Sequence, residues 1–279
     1  EDVGIEVKIF PNAQVVGSDR DSIEAVTLGE IDMTSVAELQ FAPNIKEFYV
    51  FNADYLFDDL KDAKAKLDGE QGDLLKKAAD DKNMGVKVAA FFGSSGRIFW
   101  NNVREVNTLA DFQGIKSRAP ENPINIAELE ALGCIPTPMA WNELYTGLQQ
   151  GTVDGLVSSK MPIIQQGLID VLKYATDTNH SYSINVILIS SAKYNSFSEE
   201  QRAAYDKAIA GAAEEEWKIA MKEEEDSVQK IKELQEQGKI LYTELTDEAR
   251  AEIKKAMVAA TEPKVEEMCG KEILETFRN

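Results

Sequence analysis

The stretch TLADFQGIKSRAPENPINIAELEALGCIPTPMAWNELYTGLQQGTVDG, residues 108–155, decides the fold. Gly114 turns the chain into a short strand, IKSRA, which ends at Pro120. Pro123 stands near the first turn of the helical segment NPINIAELEAL (122–132), where its missing N–H costs nothing. CIPTPM is extended and punctuated by prolines. WNELYTGLQQG (141–151) reads as a helix closed by Gly151, and VDGLVSS returns as a strand. Alternation of this kind predicts an α/β protein with largely parallel sheets.

The alternation continues outward. IEVKIF (5–10) reads as a strand stopped by Pro11 and Asn12. SDRDSIEAVTLG (18–29) has the cap residues and final glycine of a helix, and EIDMTSV reads as a second strand with Asp32 on its polar phase. Residues 58–81 read as one or two surface helices. VKVAAFF (86–92) is almost continuously apolar, the pattern of a strand buried on both faces. The GSSG run after it (93–96) is either a flexible turn or a hinge where the chain crosses to another domain. Its glycine spacing is not that of a P-loop or a dinucleotide fold. SINVILISS (183–191) is another buried strand. From Ser198 to Gly238 nearly every residue is a helix former, with a serine cap at one end and a glycine stop at the other. Unbroken, this helix would span about 60 Å, longer than one small domain; a break near Gly211 would make two. ILYTEL and a helix capped by Thr246 complete the chain.

With 279 residues, the length suits two domains. Lys and Arg number 30 against 49 Asp and Glu, a net charge of −19. Such a surface repels phosphate backbones and argues against nucleic acid as a partner. It also sets a condition: an anionic ligand needs local cations that overcome the global field. No apolar run approaches the 18 residues of a membrane-spanning helix. The chain opens close to its first strand, as expected of a mature protein whose targeting segment has been removed. Cys134 and Cys269 read as two separate buried thiols, with one long-range disulfide as the alternative. A single histidine, His180, leaves little material for zinc sites or Ser-His and Cys-His nucleophiles, so no catalytic set, metal site or cofactor is expected.

Three ordered blocks carry a resemblance. GSSGR (93–97) comes first. Leu109, Asp111, Gly114, Lys116 and Arg118 form the second. Leu132-Gly133, Pro136, Pro138, Glu143-Leu144-Tyr145, Leu148-Gln149, Gly151 and Val153-Asp154-Gly155 form the third. With GEIDM (29–33), YLFDD (55–59), the His180 region and SFSEEQRAAYDKA (196–208), the chain resembles the solute-binding proteins of TRAP transporters, the DctP family, over almost its whole length. The resemblance implies two α/β domains closing on a ligand cleft, a long helix spanning both, and delivery of a small organic acid to a separate membrane permease. It implies a periplasmic or surface-anchored monomer. By resemblance, domain I takes residues 1–93 and about 184–223, with its first strand and helix expected outside this chain. Domain II takes about 94–183 and 224–279.

Arg118 matches the family's carboxylate-binding arginine. It ends a strand, where α/β clefts open, and a guanidinium can grip a carboxylate through two parallel hydrogen bonds. Arg97 lies where many relatives have a second ligand-facing arginine, and reads otherwise as an interdomain ion pair. Trp141 replaces an aromatic that would wall the apolar face of a solute. Glu38 matches a frequent polar contact for hydroxyl or ammonium groups. Ser158 stands where many relatives carry a ligand-touching asparagine, and His180 is a further candidate contact. Asp154 and Gly155 read as turn residues. A dicarboxylate, a hydroxy or keto acid, or a sugar acid all suit this set. An enzyme or a sensor domain acting on a similar organic anion is the alternative.

Overall fold

The computed structural model describes residues 3–11 and 14–279. Among them seven strands share one sheet: β1 (Met33–Ala37), β2 (Val86–Asn101), β3 (Lys116–Ala119), β4 (Ile135–Pro138), β5 (Gly155–Ser159), β6 (Tyr174–Ser190) and β7 (Leu241–Thr243). The order is β1-β6-β2-β5-β3-β4, with β7 beside β6. β2 and β6, of 16 and 17 residues, run antiparallel past each other from Val86↔Ser190 to Asn101↔Tyr174. β1 on β6 and β5 on β2 are antiparallel too. Only β3 with β4 and β5, and β7 with β6, are parallel. The expected largely parallel sheet is therefore a mixed one: two strands that traverse the molecule in opposite directions can only pair antiparallel.

The first lobe gathers α1 (Asp19–Leu28), α2 (Glu38–Phe41), a 3-10 helix Lys46–Asn52, α3 (Leu60–Leu67) and α4 (Glu70–Lys82) around one end of the sheet. Ser18 caps α1 through Asp21 N–H, and Gly29 closes it at φ 75°. Phe41, Phe48, Phe51, Phe57, Phe91 and Phe277 share its core. The second lobe is built from α5 (Pro123–Ala131), α6 (Leu144–Gln150) and α7 (Lys160–Gln165). Alternate side chains of β2 feed two cores on opposite faces of the sheet, Ile98 and Trp100 in one and Phe99 in the other.

After α8 (Ser191–Ser196), α9 (Glu199–Glu236) runs 38 residues, about 57 Å at the usual rise per residue. It passes Gly211 unbroken. Trp217 and Ala220 belong to the first core, Ile231 and Leu234 to a second-lobe core. The helix thus spans both lobes. GSSG is not a flexible turn. It lies within β2, where the pairing with β6 shifts register between Gly93 and Gly96. A Cβ on Gly93 would come within 2.4 Å of Trp217, and one on Gly96 within 2.0 Å of Asn179 Oδ1. These glycines allow α9 and β6 to approach the crossing strand closely.

Three local expectations are corrected. IEVKIF has no strand partner among the described residues and is irregular, with Val7, Ile9 and Phe10 exposed; Asn12, its expected stop, lies outside the described residues. The helix expected over TDEARAEIKKAMVAA (246–260) does not end before Pro263. α10 (Asp247–Cys269) continues through it, because Val265 and Cys269 are buried in the first core, and α11 (Lys271–Arg278) follows. Finally, the C-terminal segment is shared between lobes. Leu245 to Met257 pack with the second lobe, whereas Val265 to Phe277 pack in the first. Cys134 and Cys269 are separate buried thiols, as expected, and burial pushes them up to about 12 and about 11.

Candidate ligand-binding cleft

β5 lies between β2 and β3 and fixes the two candidate arginines. Arg97 of β2 is paired with Ser159, and Arg118 of β3 with Leu156. Two strand spacings across and three residues along place their Cα atoms about 14 Å apart. Two long side chains can converge on a small molecule over that distance.

The arginines differ in what already holds them. Arg97 donates from Nε to Ser183 Oγ at 2.9 Å and from Nη2 to Glu38 Oε1 at 3.1 Å. The ion-pair reading of Arg97 is thus realised, with α2 as its partner element. Glu38 is fully buried, and its Oε2 has no hydrogen-bond partner. Burial pushes its carboxyl up more strongly than the Arg97 charge pulls it down. Arg118 is half-buried, and its Nε donates to the Met139 carbonyl at 2.9 Å. Its guanidinium carbon stands 5.7 Å from the Trp141 ring centroid, a cation–π distance. No carboxylate pairs with it among the described residues. Burial, and then the Arg97 charge, lower its pKa to about 10, which leaves it cationic at neutral pH.

Trp141 begins the 3-10 turn before α6 and is held by a 2.9 Å bond from Nε1 to Gln166 Oε1. Ser158 is buried on β5, and its carbonyl accepts from Trp100 Nε1 at 3.1 Å. His180 is not brought to the arginines. Its Nδ1 is 2.9 Å from Thr178 Oγ1, and its Nε2 is 3.3 Å from Glu128 Oε1, deep between the lobes. Beside it, burial and then the Glu128 charge push the Asp54 carboxyl up to about 7. A cavity of about 530 Å³ lies elsewhere, between α9 and the α4–β2 side of the first lobe; Asp68, Asp80, Asp206 and Glu214 line it with Lys76 and Lys87, so acids outnumber bases there.

Sequence reasoning missed the supports behind Arg97. Lys160, at the start of α7 and 1% exposed, reaches Glu224 Oε1 at 2.5 Å. Glu224 Oε2 accepts from Gly96 N–H at 2.9 Å, so α9 grips the backbone next to Arg97. Ser159 Oγ donates to the Ser95 carbonyl and lies 3.3 Å from Ser183 Oγ. A lysine in an apolar MPII context was the available signal, since a lysine is almost never fully buried without a partner.

Residues 3–268 match the model of bacterial extracellular solute-binding protein, family 7. The chain belongs to this family, the DctP family. The C4-dicarboxylate-binding periplasmic protein DctP of Rhodobacter capsulatus is 30% identical over 88% of this chain and 72% of its own length. A TRAP periplasmic solute-binding protein of Sulfurospirillum deleyianum with bound succinate superposes with a TM-score of 0.87. It is 26% identical, over 98% of this chain and 87% of that one. The sugar acid binding protein DctPAm of Advenella mimigardefordensis, in complex with galactonate, also gives 0.87, with 28% identity over 98% and 86%. As a member of this family the chain is a bacterial extracellular solute-binding protein. None of its described helices is long and apolar enough to cross a membrane.

Proposed function

We propose that Arg118 clamps the carboxylate of a small organic acid in the cleft between the lobes, and that this chain passes the unaltered acid to a TRAP membrane permease. The observation that carries the reading is a half-buried guanidinium that no carboxylate pairs with among the described residues, in a chain where acids far outnumber bases. A buried cation without an anion is costly, and a bound carboxylate satisfies it with two charge-assisted bonds. Arg97 adds positive potential, Trp141 supplies a flat wall, and Glu38 and Ser158 face hydroxyl groups of the solute. The galactonate- and succinate-bound relatives support two ligand classes. The aromatic wall and the Glu38 acceptor favour an acid that carries hydroxyls, a sugar acid or hydroxy acid, over a plain dicarboxylate.

Working as a periplasmic or surface-anchored monomer, the chain closes its lobes over the solute: residues 1–93 with about 184–223, joined by the C-terminal residues that pack in the first core, against about 94–183 with the rest of 224–279. Higher affinity for the closed form shifts the population toward it. A thermal-shift screen of organic acids, sugar acids, amino acids and neutral sugars tests the reading. A ligand at 100 times its Kd adds about 2.7 kcal/mol. Shifts confined to carboxylates, with no turnover of the hit, are expected. Shifts from neutral sugars alone would remove the arginine clamp, and turnover would favour an enzyme.

A further inference from the structure

The only histidine of the chain is engaged far more tightly than a packed core imidazole needs to be. Asp54, Glu128 and His180 are 2%, 4% and 1% exposed, and each presents one donor atom, all within 4.8 Å of one another. They come from three elements: the loop after the first lobe's 3-10 helix, α5 of the second lobe, and the crossing strand β6. His180 Nε2 is buried without a hydrogen-bond partner and points at Glu128 Oε1.

Behind each donor stands a group that orients it. Thr178 Oγ1 pairs with His180 Nδ1 at 2.9 Å. With the threonine accepting, Nδ1 carries the proton and Nε2 turns its lone pair inward. Thr261 on α10 donates to Asp54 Oδ2 at 2.7 Å, and Asn125 Nδ2 donates to Glu128 Oε2 at 3.1 Å. Outer partners of this kind orient the ligands of a metal centre. Two carboxyl groups and an imidazole meet in a place closed to bulk solvent, and a divalent cation would offset the charge the carboxyl groups carry when ionised.

We propose that Asp54, Glu128 and His180 bind a small divalent transition-metal ion, zinc first, which ties the first-lobe loop to α5 across β6. An imidazole with two carboxylates suits zinc and not the all-oxygen cages of calcium or magnesium. Tetrahedral ligands at about 2.1 Å stand about 3.4 Å apart, so a donor pair at the 4.8 Å limit must close by about 1.4 Å, a rotamer-sized adjustment.

The test titrates Zn²⁺ alone into chelator-stripped full-length protein by calorimetry and counts retained metal after desalting. One zinc per chain is expected. Thr178→Val and Thr261→Val keep all three donors and should weaken binding about 10–100-fold; Glu128→Gln should weaken it further. Should Glu128→Gln fail to fold by circular dichroism, the two threonine variants decide. Less than one zinc per chain, or unchanged affinity in all variants that fold, overturns the site. No organic acid is present in this titration. Titrating the acid into chelated protein tests the cleft separately, so either reading can fail alone.

Discussion

Two groups of buried charge are unbalanced in opposite senses. Around Arg118 the protein assembles cation, aromatic ring and carbonyl, and among the described residues no carboxylate pairs with it. Around His180 it assembles two carboxyl groups and an imidazole, and the nearby Arg278 guanidinium is bound to the Asp54 backbone carbonyl and to Glu262. Arg97 shows what a balanced site looks like here: its guanidinium is already spent on Glu38 and Ser183. Unpaired charge in a buried place is costly to keep. Where it persists, its sign is the basis for the partner proposed at each place, an anion at Arg118 and a metal cation at His180.

The contrast between the two arginines gives the largest expected effects. Arg118→Ala should weaken organic-acid binding by about 2–5 kcal/mol, read by calorimetry, because a buried carboxylate loses its partner. It should leave the unfolding midpoint in urea unchanged or raised, since no protein ion pair breaks. Arg118→Lys should restore only part of the affinity, lacking the bidentate fork. Arg97→Ala should act mainly on stability, with a smaller loss of affinity from the lost positive potential. It strips the partner from a fully buried Glu38 and should cost on the order of 3 kcal/mol of folding stability. Equal stability losses in the two alanine variants would erase the distinction between a binding and a structural arginine.

How far the sequence carried these assignments depended on whether the signal was local. Strand and helix identity along residues 108–155 was legible because turns at Gly114 and Gly151 and the proline at 123 act within a few residues. The unbroken α9 was legible from its composition and its Ser198 cap. The antiparallel pairing of β2 with β6 was not, because it is set by contacts across some ninety positions of chain, from Val86↔Ser190 to Asn101↔Tyr174. The continuation of α10 through Pro263 was hidden for the same reason: burial of Val265 and Cys269 in a distant core outweighs the local helix-breaking signal. At the cleft, Arg118 and Arg97 stood out through the motif around them. Glu224 and Lys160 did not, since a glutamate in a run of five charged helix residues (222–226) resembles any solvated face. Nor did Asp54 and Glu128, which meet His180 only in three dimensions.

Glu38 offers a sharper probe of the Arg97 side. Burial holds its carboxyl above the ordinary value of 4.5. The folded state therefore binds this proton more tightly than the unfolded chain does. The stability it contributes is complete below that ordinary value and is lost as pH rises through the folded pKa. Urea unfolding from acid to neutral pH should show the wild type losing stability relative to Glu38→Gln as pH rises. The opposite slope would mean that Arg97 outweighs burial and that the pair is a net stabilising one.

Trp141 carries the smallest and most specific expectation. Its ring faces the Arg118 guanidinium at 5.7 Å, and Gln166 fixes its indole N–H, so its position does not depend on ligand. Trp141→Ala should lower affinity about fivefold, close to 1 kcal/mol, through the lost cation–π support and the lost apolar wall. Trp141→Phe keeps the ring and drops only the Gln166 bond, so it should recover most of the affinity. The loss in Trp141→Ala should be larger for a sugar acid, whose ring or chain presents C–H groups to the wall, than for a short dicarboxylate. An equal loss for both would leave Trp141 as a support for Arg118 alone and would take the hydroxyl-bearing solute out of favour.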